Sequence, residues 1–281
     1  MIPQEFNYSR PETVQEAVDL LADNDAKVLA GGMSLIPLMK LRLSAPEHVV
    51  DLGRIADLTQ ITESGGSLHL GALLTHHQVA TSALVQAKCP LMAETASHIG
   101  DAQVRNMGTL GGSAAHADPA ADYPAALCAL EAKVRLVRKD SERVVDIGDF
   151  FVDALTTDVE PDEIITELIL PVEEAGTGVS YQKLRQPASG FAIVGVAARV
   201  RTSGGRITMA RIGVTGLAAT AYRATGVEAL LEGSEGSQAD VAGASAAVDE
   251  GIEAISDLHA SSDYRRHVAR VYTARAIQAA L

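Results

Sequence analysis

Apolar positions recur at helical spacing from the start of the chain. Thr13-Val14-Gln15-Glu16 has the form of a capping box, and Val14, Ala17, Val18, Leu20 and Leu21 then share one helical face. Asn24 and Asp25 are expected to end that helix. Residues 27–30 read as a short buried strand running into the glycine-rich segment AGGMSLIP, residues 30–37. A short helix is expected over 35–43, interrupted by Pro37 and unable to continue past Pro46. Residues 48–52 read as a strand. Residues 58–62 and 68–70 flank Ser64-Gly65-Gly66-Ser67, a hairpin signal. Helices are expected over 76–82 and 90–99, the second opened by Pro90 and capped by Gly100.

The next stretch, IGDAQVRNMGTLGGSAAHADPAADYPAAL over 99–127, is built almost wholly from small side chains and leads into a helical run over 123–130. Beyond it, 134–137 and 144–147 predict a second hairpin, and 163–170 a strand closed by Pro171. The pattern changes after Glu173-Glu174-Ala175-Gly176-Thr177-Gly178. Strands are expected over 179–185, 191–202 and 206–217, followed by helices over 221–231, 238–255 and 264–281. Strands followed by helices predict an antiparallel sheet backed by helices. Two domains are therefore expected, 1–175 and 176–281.

The chain has 281 residues and 47% hydrophobic content, enough for two cores. Its formal charge of −13 argues against a nucleic-acid surface, which needs a basic stripe. Cys89 and Cys128 form no CxxC pair and cannot alone supply the four thiolates of an iron–sulfur cluster. The N-terminus has no basic region followed by an apolar run, and no run reaches membrane-span length. A cytoplasmic protein without a membrane span is expected.

Dense glycine costs chain entropy, so such segments usually mark places where something approaches the backbone closely. Residues 30–37 and Gly108-Thr109-Leu110-Gly111-Gly112-Ser113 are two such segments. Successive N–H groups in a turn form a concavity suited to phosphate oxygens, with Ser and Thr hydroxyls as further donors. Two cradles in one chain suggest a dinucleotide held by its pyrophosphate, although neither GxGxxG nor GxxxxGK[ST] is present. The histidines suggest no metal: His76 and His77 are adjacent and cannot share a helix face, and His116-Ala117-Asp118 lacks a third ligand nearby.

The blocks MIPQEFNYSRPETVQEAVDLL, AGGMSLIPLMKLRLSAPEHVVDL, GALLTH and the 99–127 stretch, with Tyr181-Gln182-Lys183-Leu184 and Phe191-Ala192-Ile193-Val194, resemble one family nearly end to end. That family is the FAD-binding medium subunit of the molybdenum hydroxylases, carbon monoxide dehydrogenase and xanthine dehydrogenase among them. The resemblance implies an α+β chain. Its N-terminal part would be a two-subdomain FAD-binding fold of the p-cresol methylhydroxylase/vanillyl oxidase type, followed by a smaller domain of antiparallel sheet and helices. It also implies that Ala30, Gly31, Gly32, Met33, Ser34 and Leu35 wrap the FAD pyrophosphate together with Thr109, Leu110, Gly111, Gly112 and Ser113. A bulky residue at Gly32 or Gly111 is then expected to eject the cofactor and leave the protein folded.

Asp122 is the carboxylate expected to accept from sugar hydroxyls, with Asp118 the competing candidate or else a helix cap. Thr75 is either a hydroxyl donor near the flavin or the cap of the following helix. Phe191 occupies a place where relatives carry a Tyr against the isoalloxazine, and its alternative is core packing. Lys183 is either near the ring's polar edge or a surface strand lysine. Met33 stands where relatives often have His, Gln or Thr. The insertion that carries an additional cluster in some relatives is missing between Gly71 and Pro90.

The resemblance implies an electron-transfer flavoprotein subunit with no general acid or base of its own. Its partners would be a molybdopterin large subunit and a small subunit with two [2Fe–2S] clusters, assembled as a dimer of heterotrimers. FAD would hand their electrons to an external acceptor. A stand-alone FAD oxidase and a nucleotide-free assembly scaffold are the alternatives.

Overall fold

The computed structural model describes residues 1–22 and 26–281, so the expected helix end at Asn24 and Asp25 lies outside the described residues. The chain begins with β1 (Asn7–Ser9), α1 (Val14–Ala22), β2 (Ala26–Leu29), α2 (Leu35–Leu41) and β3 (His48–Asp51). These strands form a parallel sheet in the order β1-β3-β2. Thr13 Oγ1 accepts from Glu16 N, and Glu16 in turn accepts from Glu12 N, so both residues of the expected box cap the helix. Pro37 does not interrupt α2. It lies in the first turn, where its missing N–H had no helical partner to lose. Ala17, Val18 and Leu21 pack with Val50, Leu52 and Leu58 in a small core of their own.

A larger unit follows. It contains β4 (Ile61–Ser64), β5 (Ser67–Gly71), α3 (His76–Thr81), α4 (Ala83–Lys88), α5 (Pro90–Ser97), α6 (Ala102–Met107), α7 (Leu110–His116) and α8 (Tyr123–Ala129). It continues through β6 (Lys133–Arg138), β7 (Ser141–Asp146), α9 (Ile147–Phe150), β8 (Phe151–Asp153), β9 (Thr156–Thr157) and β10 (Ile164–Pro171). Both expected hairpins form, and β10 joins them into an antiparallel sheet in the order β4-β5-β10-β6-β7. Leu58 is not strand: Ala56–Thr59 is a 3-10 turn that places Leu58 in the first core. The main departure is the glycine-rich stretch, read from the sequence as turn-forming and observed as two helices, α6 and α7.

The last part carries β11 (Thr177–Arg185), β12 (Ala192–Ser203), β13 (Arg206–Thr215), β14 (Tyr222–Arg223), α10 (Thr225–Leu231), α11 (Gln238–Ser245) and α12 (Ser262–Ala280). The four strands form an antiparallel sheet in chain order. One face meets α10, α11 and α12, and the other offers Tyr181 and Ala197 to the core of the larger unit. Burial on both faces explains why β12 is apolar without alternation. The helix expected over 238–255 stops at Ser245, because its continuation is tied into turns such as Ile252 N to Asp249 O. Arg199 fastens the two halves: its guanidinium grips Glu173 at 2.7 and 2.9 Å and donates to the Ala129 carbonyl at 2.9 Å.

Candidate functional site

The first glycine segment is the turn between β2 and α2. Gly32 has φ +74°, a conformation that L side chains rarely adopt, and Met33 and Ser34 follow it into the helix start. Among the described residues the N–H groups of Gly32, Met33 and Ser34 donate to nothing. The Ser34 hydroxyl makes no capping bond. Met33 is 40% exposed, while Ser34 and Leu35 are half-buried. This is a concave backbone with free donors, as an anion requires.

The second segment approaches it directly. A Cβ at Gly31 would lie 1.9 Å from the Met107 carbonyl oxygen and 2.9 Å from Gly108 Cα, and one at Gly112 would lie 3.7 Å from Ala30 Cβ. The two remote segments therefore meet, with room for backbone only. They do not play equal parts. Leu110 N donates to Leu74 O, Gly111 N to Ala72 O, and Gly112 N to Thr109 Oγ1, which caps α7. The N–H groups of residues 110–113 are thus spent internally, Ser113 N on Thr109 O, and the segment forms a wall rather than a second nest.

Leu110 is fully buried in the core, and a Cβ on Gly111 would meet Ala72 Cβ at 2.5 Å. The side-chain directions at both positions therefore point away from the first segment. This corrects the expected outcome at Gly111, since a bulky residue there breaks packing against Ala72. Gly112 and Ser113, both half-buried, remain open to the first segment's side.

Thr75 lies beside this wall, joined to Thr109 by a backbone bridge, with His76 N donating to Gly108 O at 3.0 Å. Its hydroxyl, however, accepts from Gln78 N and pairs with Gln78 Oε1, a complete capping box for α3. The cap alternative therefore accounts for its bonds.

Asp122 and Lys183 come together, but inside the protein. Lys183 Nζ contacts both carboxylate oxygens at 2.9 Å and donates to His98 O at 2.9 Å, and the Tyr181 hydroxyl donates to Asp122 Oδ1 at 2.5 Å. The two side chains are 5% and 2% exposed. Burial pushes the Asp122 carboxyl up from the usual carboxylate value, with Lys183 and Tyr181 opposing it. Asp122 is thus paired with Lys183, and the alternative of a surface strand lysine fails for Lys183, because a strand from the second half covers the start of α8. Asp118 turns its own loop by accepting from Ala120 N at 2.8 Å.

Phe191 is 46% exposed at the end of the turn between β11 and β12, so the core alternative fails. A side chain at its neighbour Gly190 would sit 3.5 Å from Gly100 Cα, which sets this turn against the α5–α6 loop. The described residues include no group of three His, Cys, Asp or Glu side chains arranged for a metal ion.

Three residues to which sequence reading gave no site role also belong here. Arg105 is the sole Lys or Arg between Ile99 and Leu127, a signal visible in the sequence, and its guanidinium binds the Ile99 and Gly100 carbonyls. Tyr181 and His76 gave no such signal. His76 is 4% exposed, stands 3.3 Å from the Tyr123 hydroxyl, and lies against Gly108.

Burial first, and then the charge of Arg105, push the His76 pKa down from 6.5 to about 4. The native ring stays neutral while the unfolded chain protonates, so the unfolded state gains a proton as pH falls through this window. The stability tied to neutral His76 is present above pH 6.5 and is lost toward pH 4, amounting to about 3 kcal/mol across the interval. Denaturation midpoints measured across that range should show this loss. His76→Phe should flatten it, and an unchanged slope in that variant would refute the assignment.

Comparisons with known proteins identify the family. Residues 4–173 match the FAD binding domain in molybdopterin dehydrogenase, and residues 179–280 match the CO dehydrogenase flavoprotein C-terminal domain. The chain belongs to the family of FAD-binding medium subunits of molybdenum hydroxylases. It is 39% identical to the carbon monoxide dehydrogenase medium chain of Hydrogenophaga pseudoflava, with 100% of this chain and 98% of that protein covered. It is 37% identical to the glyceraldehyde dehydrogenase medium chain of Sulfolobus acidocaldarius, with 99% of each covered. A solved structure of the Hydrogenophaga pseudoflava carbon monoxide dehydrogenase superposes with a TM-score of 0.96 at 41% identity, covering 100% of this chain and 98% of that one. The α+β architecture of a FAD-binding part followed by a smaller sheet-and-helix part agrees with that match.

Proposed function

We propose that this chain binds FAD between the 30–35 turn and the 109–113 wall and works as the electron-transfer subunit of a molybdenum hydroxylase. The observation that carries the reading is the free N–H groups of Gly32, Met33 and Ser34 beside the Gly31–Met107 contact. Gly32, Met33 and Ser34 would hold the pyrophosphate by backbone donors, and the Ser34 and Ser113 hydroxyls would add to them. Thr109 keeps the wall in place by capping α7. Met33 contributes through its backbone, so the lack of a polar side chain there leaves the grip intact. Phe191 offers an exposed ring face for stacking without a phenol hydroxyl. When bound, FAD supplies the redox chemistry. The protein orients it and limits its access to solvent.

The electrons would come from iron–sulfur clusters on a small subunit, fed by a molybdopterin large subunit, with the whole assembled as a dimer of heterotrimers in the cytoplasm. Residues 1–175 would form the FAD-binding unit and 176–281 the second. Medium chains of nearly equal identity to this one belong to enzymes named for carbon monoxide and for glyceraldehyde. That spread supports placing the choice of reducing substrate on another subunit. Among the described residues no helix is long and apolar enough to cross a membrane.

Affinity purification of the chain from its native cell, followed by flavin, iron and molybdenum analysis, tests the reading. Flavin should remain with the chain alone, and iron and molybdenum should arrive only with co-purifying subunits. Steady substrate turnover by the isolated chain would favour the stand-alone oxidase, and absence of flavin bands after FAD is supplied would favour the scaffold.

A further inference from the structure

A second cleft, of about 750 Å³, opens at the end of α6 remote from the Gly31 contact. Gly100, Arg105, Lys183 and Arg185 line it, together with His98 and Asp101. The charges on its wall do not balance. Lys183 is committed to Asp122. Asp101, the one acidic side chain of the lining, caps α6 by accepting from Val104 N at 2.8 Å. Arg105 spends Nη1 on the Ile99 and Gly100 carbonyls at 2.9 and 3.1 Å, which orients its guanidinium without neutralising it. Arg185 is exposed and meets no carboxylate among the described residues.

The β11–β12 ladder loses register between Leu184 and Arg185, an irregularity of the kind that re-aims a side chain beside a site. Two guanidiniums against the single carboxylate of Asp101 leave this cleft with an excess of positive charge in a chain of net charge −13. Burial first, then the charges of Lys183 and Arg185, hold the His98 ring below the usual histidine value.

We propose that this cleft binds a small anion carrying phosphate or carboxylate groups, gripped by the guanidiniums of Arg105 and Arg185. Each guanidinium presents a planar fork of donors that matches two oxygens of either group. The site lies beside the turn that carries Phe191, through the approach of Gly190 to Gly100. An anionic electron acceptor resting there would be next to the exposed ring. That last role rests on the flavin reading; the anion site does not.

The test is calorimetric titration of the full-length, FAD-loaded chain with inorganic pyrophosphate and, separately, citrate, with NMR of the His98 ring in parallel. Saturable binding is expected, with a rise in the His98 pKa on occupancy. Arg185→Gln, at an exposed position, should weaken binding at least about tenfold. It should also raise the His98 pKa before any anion is added. Tighter binding of pyrophosphate than of citrate would assign phosphate chemistry, and the reverse order carboxylate chemistry. Lack of saturable binding, or equal binding by Arg185→Gln, would overturn the proposal. So would binding seen only in flavin-free protein, since the cleft would then belong to FAD. Should the chain take up no FAD, the flavin reading fails on its absorbance, and the Arg185 dependence in flavin-free protein still decides the anion site.

Discussion

Gly31→Val should leave a protein that no longer retains FAD, with affinity reduced by about a hundredfold or more. The added Cβ would fall 1.9 Å from the Met107 carbonyl oxygen, and the obstructing atoms are backbone, so no side chain can rotate away. The 30–35 turn and the end of α6 must part by roughly an ångström, a misplacement large enough to cost about two orders of magnitude where geometry decides binding. The fold should survive, because the clash lies at a half-buried surface turn and overpacking of this kind costs about 1–3 kcal/mol. Flavin absorbance of the purified variant, with circular dichroism as the folding control, reads the outcome. Gly32→Ala should be milder. Its clash is with the end of the Ile36 side chain, which can move, leaving a backbone strain of about 1–2 kcal/mol at φ +74°. A Gly31→Val protein with a full flavin complement would remove the basis of the proposed site.

Asp122→Ala should be the most destabilising single change at the junction of the two halves. It leaves the Lys183 ammonium buried with only the His98 carbonyl, and strips the Tyr181 hydroxyl of its acceptor. Removing one partner of a buried pair costs about 3–5 kcal/mol, which corresponds to roughly 10 °C in melting temperature for a protein of this size. Lys183→Met should cost a similar amount by stranding the carboxylate. The double variant Asp122→Ala/Lys183→Met should recover much of the loss, because no charge is then left unpaired. Denaturant unfolding of the four proteins forms the required cycle. Additive losses would mean that the two side chains do not act as a pair.

Much of the fold is legible in the sequence because short-range rules govern it. The Thr13 cap, the Gly65-Gly66 and Gly204-Gly205 hairpin turns, and the long strands on either side of the latter depend on neighbours within a few residues. The family resemblance likewise rests on contiguous blocks, and the profile matches over 4–173 and 179–280 agree with it. Local rules fail at the glycine stretch. Glycine is a poor helix former, yet residues 110–116 are helical, because Thr109 caps the turn and Leu74 and Ala72 supply carbonyls from a distant segment.

Side-chain roles divide along the same line. Reading the residues in order is enough to find the small ones, the turns and the two glycine-rich segments available for an anion. Packing across the fold is what brings Gly31 against Met107, turns the Leu110 side chain into the core, and sets Asp122 against Lys183 and Tyr181. It also leaves Arg105 and Arg185 facing one cleft. Each of these depends on contacts between residues far apart in the chain, and on how much water the packing leaves around a charge. Neither quantity is a property of any short stretch of sequence.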